Sequence, residues 1–281
     1  MADAQKRLIC VATHHKTGTI WIKRVVMAMS DRLGIPWHGI WGRKQLDKVP
    51  ETERAFLCNW SGRFPKELWD RDDTVFLHVI RDPRDVLLSG CVYHHSAPVE
   101  GEEFLHKPRK DLGGITYQTH LNSLTCQADK LLFEMENKHA TTVKEMRNWD
   151  YTRPGNTELR YEDLIADDRC VLFGNALMKA GFAPDEVDIG TEIFWQNSLF
   201  GGLKKAKARK GRLSEHILSD GRLARWQTEM PRAVGEVYAA RYQDDLVALG
   251  YEKDASWVET LRADARVVGL DDAPVLHTSN G

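Results

Sequence analysis

Several things are missing from this sequence, and each absence removes a class of protein. The five cysteines, at 10, 58, 91, 126 and 170, include no C-x-x-C pair. An odd, scattered set builds neither a disulfide scaffold nor a zinc site, and it suits a reducing compartment. No stretch of about 18 uncharged apolar residues occurs, so no membrane span is expected. Neither sign of charge is in excess, with 39 Lys plus Arg against 41 Asp plus Glu. That balance argues against a global basic field for nucleic acid and against an acidic, disordered chain. Any anion affinity must then come from local clusters. The opening residues, Met1 to Arg7, are polar and run directly into an apolar stretch, so no signal peptide is expected. The expectation is a cytoplasmic protein with neither nucleic-acid nor membrane partners. Internal repeats and low-complexity tracts are also lacking.

What is present is an alternation of strands and helices. Residues 8–13 read as a buried strand. Residues 19–33 carry Ile20, Trp21, Val25, Met29 and Leu33 at helical spacing, closed by Gly34 and Pro36. A short strand is expected at 55–60, and the continuous apolar run 74–80 suits a parallel strand covered on both faces. Asp82 fits a helix N-cap with Pro83 at the first helical position, and that helix runs to about residue 95. Residues 98–114 lack periodicity and read as a loop or lid. A long helix is expected over 116–137, a strand at 157–161, and a helix from an Asp163 cap to Gly181. A last helix spans about 231–249, with Val234, Val237, Tyr238, Tyr242, Leu246 and Leu249 inward. The expected fold class is α/β: a single domain over 1–265 with a central parallel sheet flanked by helices, followed by a tail, 266–281, with weak signals. Cys10 and Cys91 read as core thiols. The nine tryptophans serve the core and can line a cleft.

Thr13-His14-His15-Lys16-Thr17-Gly18-Thr19-Ile20-Trp21 joins the first strand to the first helix. Backbone N–H groups at a helix start lack intrahelical partners, and the helix dipole adds partial positive charge there. Lys16 adds a full charge, while Thr17 and Thr19 add hydroxyls. This is an anion site for phosphate or sulfate. It is not the triphosphate-binding G-x-x-x-x-G-K-[ST] loop, because Lys16 precedes the only Gly and nothing specifies a metal. The plain alternative is a strand–turn–helix with a solvated lysine.

Two further cationic clusters fall late in strands or loops. Arg81 ends its strand and Ser89 lies two turns into the next helix, on the face of the N-cap. A guanidinium and a hydroxyl near a helix start can hold a phosphate; an ordinary capped helix with Arg81 in a surface ion pair fits as well. The third cluster, Lys204 to Arg212, has six cations in nine residues. It reads as a solvated loop or as a basic flap, with Gly211 allowing close backbone approach. In a parallel α/β sheet, ligands bind at the carboxyl ends of strands, where the first two clusters fall.

Taken in order, K-T-G-T-x-W after a strand, then Arg81-Asp82-Pro83-Arg84-Asp85-Val86-Leu87-Leu88-Ser89 after another, Tyr161-Glu162-Asp163, and a late Arg209-Lys210-Gly211 resemble the PAPS-dependent sulfotransferases, PAPS being 3′-phosphoadenosine-5′-phosphosulfate. The resemblance covers roughly residues 8–250 and implies a P-loop-like fold, PAPS as donor and PAP as product. It implies that Lys16, Thr17, Gly18 and Thr19 grip the 5′-phosphosulfate, with Ile20 contributing only its backbone where a second hydroxyl is common. Trp21 stacks on adenine, and Tyr161 lines that pocket. Arg81, Ser89, Arg209, Lys210 and Gly211 bind the 3′-phosphate. Lys16 stabilises charge on the bridging oxygen as the sulfuryl group transfers in line.

The chain departs from that pattern in two places. Asn59 falls where cytosolic members carry a catalytic histidine, and Asn cannot act as a base. His38, some twenty residues after Lys16, is the candidate base, with His15 beside Lys16 as a second; His14 and His15 can equally shape the turn. After Arg209-Lys210-Gly211 the usual G-x-W is missing. The expected activity is sulfuryl transfer to a hydroxyl or amine of a small molecule or glycan; a monomer and a homodimer both stay open. A non-catalytic PAP or PAPS binder and a P-loop kinase are the other readings.

Overall fold

The computed structural model describes residues 7–210 and 221–270. These group into two compact units, the first within Met1–Arg81 and Lys144–Gly221, the second within Asp82–Val143 and Arg222–Gly281.

The first unit holds a five-stranded sheet, all parallel, in the order β2-β3-β1-β4-β5. Its strands are β1 (Leu8–Ala12), β2 (Trp37–Gly39), β3 (Ala55–Asn59), β4 (Thr74–Ile80) and β5 (Asn156–Arg160). α1 (Thr19–Leu33) follows β1 and α2 (Lys66–Trp69) precedes β4. β1, β3 and β4 are buried along their whole length, which explains their near-continuous apolar sequence. One face carries Ile9, Val11, Phe56, Cys58, Val75, Leu77 and Leu159 against Ile22, Val25 and Met29 of α1 and a cluster of later helices. The other carries Leu8, Cys10, Leu57 and Phe76 against Ile40, Phe64, Leu68 and Trp149. Alternation along each strand sorts its side chains onto the two faces, so both sides of the sheet are dry.

The second unit is helical. α3 (Pro83–Ser96) is capped as expected: Asp82 Oδ1 accepts from the Arg84 amide at 2.9 Å, with Pro83 at the first position. α4 (Glu103–His106) and a short 3₁₀ turn, Lys110–Leu112, occupy the segment read as an unstructured loop. The long helix expected over 116–137 is broken. α5 (Tyr117–Ser123) ends at extended Leu124, α6 (Gln127–Glu134) starts after extended Cys126, and a π turn, Met135–His139, leads into α7 (Ala140–Arg147). Thr and Cys in Ser123-Leu124-Thr125-Cys126 are weak helix formers, and Asn137, at the kink, donates to the Phe133 carbonyl and accepts from Arg109 Nη1.

Back in the first unit, the expected 163–181 helix is two: α8 (Tyr161–Ala166) and α9 (Val171–Lys179), with Arg160 rather than Asp163 at the first cap. α10 (Pro184–Gln196) follows Pro184 and packs on α1 and α9. In the second unit, α11 (Trp226–Glu229) precedes α12 (Arg232–Ala248), the latter close to the expected span. Beyond residue 265, Val267 and Leu270 are buried in this unit's core, and the Val267 amide donates to Gln127 Oε1 at 2.8 Å. Residues 271–281 lie outside the described residues.

Candidate functional site

The loop between β1 and α1 is built on the carbonyl of His14. It accepts from the Thr17 amide at 3.1 Å, from Thr17 Oγ1 at 3.0 Å and from Thr19 Oγ1 at 2.8 Å. The His14 amide in turn donates to Thr17 Oγ1 at 2.8 Å, and Thr13 Oγ1 lies 2.8 Å from Thr19 Oγ1. The two threonine hydroxyls read as outward donors are thus turned inward. A hydroxyl has one proton, and here both protons go to the His14 carbonyl. Gly18 takes the N-cap of α1 with φ 97 and offers no side chain to cap it. The first-turn backbone amides of α1, those of Thr19, Ile20 and Trp21, and Lys16 lie at this uncapped start. Lys16 itself has φ 64, left-handed backbone that a non-glycine residue adopts at a cost of about 1–2 kcal/mol. Such strain is retained where surrounding contacts hold it.

Arg81, at the carboxyl end of β4, is 6 % exposed. Its Nη1 donates to the Lys16 carbonyl at 3.3 Å, and its guanidinium lies 4.5 Å from the centroid of the Tyr161 ring. Tyr161, the first residue of α8, also lies against the loop: a Cβ on Gly18 would come within 3.1 Å of Tyr161 Cδ2. Lys16, Gly18, Arg81 and Tyr161 therefore meet at the carboxyl edge of the sheet. Trp21 meets the Tyr161 ring edge-on at 6.2 Å, but Phe194 of α10 covers it at 4.4 Å with Phe200 beyond. One face of the indole is thus already packed in the core.

The remaining sequence candidates divide. Arg209 is half-buried, with Nε on the Leu203 carbonyl at 3.1 Å, and Lys210 is exposed. Gly211 lies outside the described residues. Ser89 sits half-buried in α3 of the second unit. Arg84, inside the same motif, is not an anion ligand. It is 1 % exposed, paired through two nitrogens to Asp82 and through a third to Glu252 at 2.6 Å, and stacked 3.5 Å from the Trp226 centroid.

His38 is part of β2, a strand the sequence reading took for loop, and pairs in register with Leu57, which is itself level with Cys10. That puts it two strands from β1, about 10 Å sideways, and two rows short of the loop. His15 is within the loop, half-buried, next to Lys16. Asn59 is fully engaged as a brace: Nδ2 donates to the carbonyls of Ile40 (2.6 Å) and Arg63 (3.0 Å), and Oδ1 accepts from the amides of Ser61 and Arg63. His14 lies in the turn, and His78 and Glu145 stand behind it. Isolated histidines and glutamates on separate elements carry no spacing signal that would reveal this.

No protein-family model matches the sequence, and no curated protein matches it. Among solved structures the chain is similar to mouse sulfotransferase SULT7A1 complexed with PAP. The TM-score is 0.49 at 14% identity, over 87% of this chain and 85% of that one. It is similar too to retinol dehydratase in complex with androsterone and inactive cofactor PAP (0.47, 14%, 86% and 81%) and to retinol dehydratase with retinol and PAP (0.47, 15%, 86% and 82%). Likeness of this degree says nothing about individual residues.

Proposed function

We propose that the protein is a PAPS-dependent sulfotransferase, acting on a hydroxyl or amine of a small-molecule or glycan acceptor. One observation carries the reading: Lys16 and Arg81, 65 positions apart, are joined by a hydrogen bond beside an uncapped helix start and an aromatic ring. Cationic residues of separate origin at one edge of the sheet suit an adenosine donor with anionic groups at both ends. When bound, PAPS supplies the sulfuryl group and departs as PAP. The first-turn amides of α1 hold the 5′ end, and Lys16 stabilises the charge that develops on the leaving oxygen. Arg81, with Arg209 and Lys210, takes the 3′-phosphate; Tyr161 and Trp21 border the adenine. His15, adjacent to Lys16, is better situated than His38 to take the acceptor's proton. Thr17 argues against a kinase, because the hydroxyl that would meet magnesium is turned to His14. A cytoplasmic location fits the composition, and no described helix is long and apolar enough to cross a membrane.

Calorimetry with PAP, without magnesium, tests the reading. Micromolar or tighter binding is expected, with ATP at least tenfold weaker, about 1.4 kcal/mol. Equal affinity for ATP, or binding that requires magnesium, overturns it. A radiolabelled PAPS transfer screen then separates enzyme from binder: His15→Ala should lose turnover and keep PAP affinity, whereas His38→Ala should keep both.

A further inference from the structure

Behind the anion loop, three buried ionisable side chains from three elements come together. His14 Nε2 lies 2.8 Å from His78 Nε2 of β4, and His14 Nδ1 lies 3.8 Å from Glu145 Oε2 of α7. Both rings are 0 % exposed, and the Glu145 side chain is 6 % exposed. Two imidazole nitrogens at hydrogen-bond distance share one proton, so one donates and the other accepts. His78 settles the direction. Its Nδ1 is buried with no hydrogen-bond partner among the described residues and its ring stacks on Trp149 at 3.9 Å and 14°, whereas His14 Nδ1 has the Glu145 carboxylate 3.8 Å away, beyond hydrogen-bond length. A buried N–H without an acceptor is rarer than an under-used lone pair. His78 therefore carries its proton on Nε2 and donates to His14. The His14 proton is then on Nδ1, facing Glu145 within ion-pair range.

This matters because the His14 carbonyl is the point on which the loop is built, and its ring packs against Gly62, where a Cβ would fall 2.6 Å from His14 Cε1. The charged or titratable groups around it are His78 on β4, Glu145 on α7, Arg63 after β3 (3.4 Å from Glu145), and His15 and Lys16 in its own loop; Tyr151 lies beyond His78. Burial, aided by His14, holds His78 well below the usual histidine range and hence neutral.

We infer that Glu145, His14 and His78 form a buried positioning chain for the anion loop: Glu145 fixes the proton of His14 on Nδ1, His78 fixes the other ring nitrogen, and the imidazole so held sets the carbonyl that shapes Thr17, Thr19 and the start of α1. His14 is a positioning residue, since its ring is sealed from any ligand. The inference rests on the reading of the loop as the donor's anion site.

The test uses the full chain with Glu145→Gln and His14→Gln, PAP calorimetry near neutral pH, and thermal melts in parallel. Each variant should bind PAP about tenfold to a hundredfold more weakly while still melting cooperatively. Wild-type affinity in Glu145→Gln overturns the inference. If the wild type binds no PAP, the sulfotransferase reading fails, and imidazole nitrogen spectra of the unliganded protein decide the chain. Protons on His14 Nδ1 and His78 Nε2 support it; the opposite tautomers overturn it.

Discussion

α1 and α3 both begin where a parallel strand ends, yet their first turns are opposites. α1 starts at a glycine with φ 97 and no side-chain cap, after a lysine in left-handed backbone. α3 starts at Asp82, whose carboxylate caps the Arg84 amide and grips the Arg84 guanidinium, itself buried against Trp226. The first helix start is left open with its positive end available; the second is closed by a carboxylate and a buried cation. Location at a strand end thus does not make an anion site. The difference lies in whether the chain's own side chains already satisfy the amides.

Disturbing each start should have different consequences. The largest expected effect is at the closed one. Arg84→Met leaves Asp82 facing an apolar wall and should cost about 3–5 kcal/mol in denaturant unfolding; a loss under about 1 kcal/mol would show that Arg84 is dispensable to the closed start. Acid should then weaken the helical unit through His139, a buried residue 3.0 Å from the Tyr238 hydroxyl, whose pKa burial lowers from 6.5 to about 4. The unfolded chain takes up that proton first. The contribution is complete above pH 6.5 and is lost as pH falls toward 4, by up to about 3 kcal/mol. His139→Gln should flatten that part of the pH–stability curve.

At the open start, stability and binding should separate. Lys16→Gly removes left-handed strain and the ammonium together. Stability is expected to rise by about 1 kcal/mol while PAP affinity falls by about a hundredfold; a parallel fall in both would mean that the lysine is structural. Gly18→Ala puts a Cβ into φ 97 and 3.1 Å from Tyr161. It should destabilise by about 1–2 kcal/mol and weaken PAP. The smallest effect is expected at Lys66→Ala, which breaks an exposed i,i+4 pair with Asp70 (2.6 Å) and should change stability by less than about 0.5 kcal/mol.

The sequence was legible where local physics is strong. β1, its loop and α1 were marked by an apolar run, a lysine–glycine turn and helical periodicity. Asp82-Pro83 announced α3, and α12 fell within a residue or two of expectation because its inward stripe is long. The failures share a cause. Trp37–Gly39 is too short to show alternation, so His38 was read as a loop residue. The 116–137 stripe is periodic enough for one helix, yet Asn137 and Arg109 meet across 28 positions to fix a kink. Thr17 and Thr19 look like outward donors until the turn is closed on His14. Tyr117 and His94 both hydrogen-bond the buried carboxylate of Glu134 at 2.7 Å, although periodicity gives no sign that a glutamate goes inside.

By itself the sequence determined the alternating elements, the cationic residues and the glycine that leaves α1 uncapped, because propensity, capping and periodicity act within a few residues. Only the tertiary structure decided which of those cations face a ligand and which are buried supports. Pairing and desolvation set a charge's role, and both depend on partners such as Tyr161, Glu252 and Glu145 that lie far away along the chain.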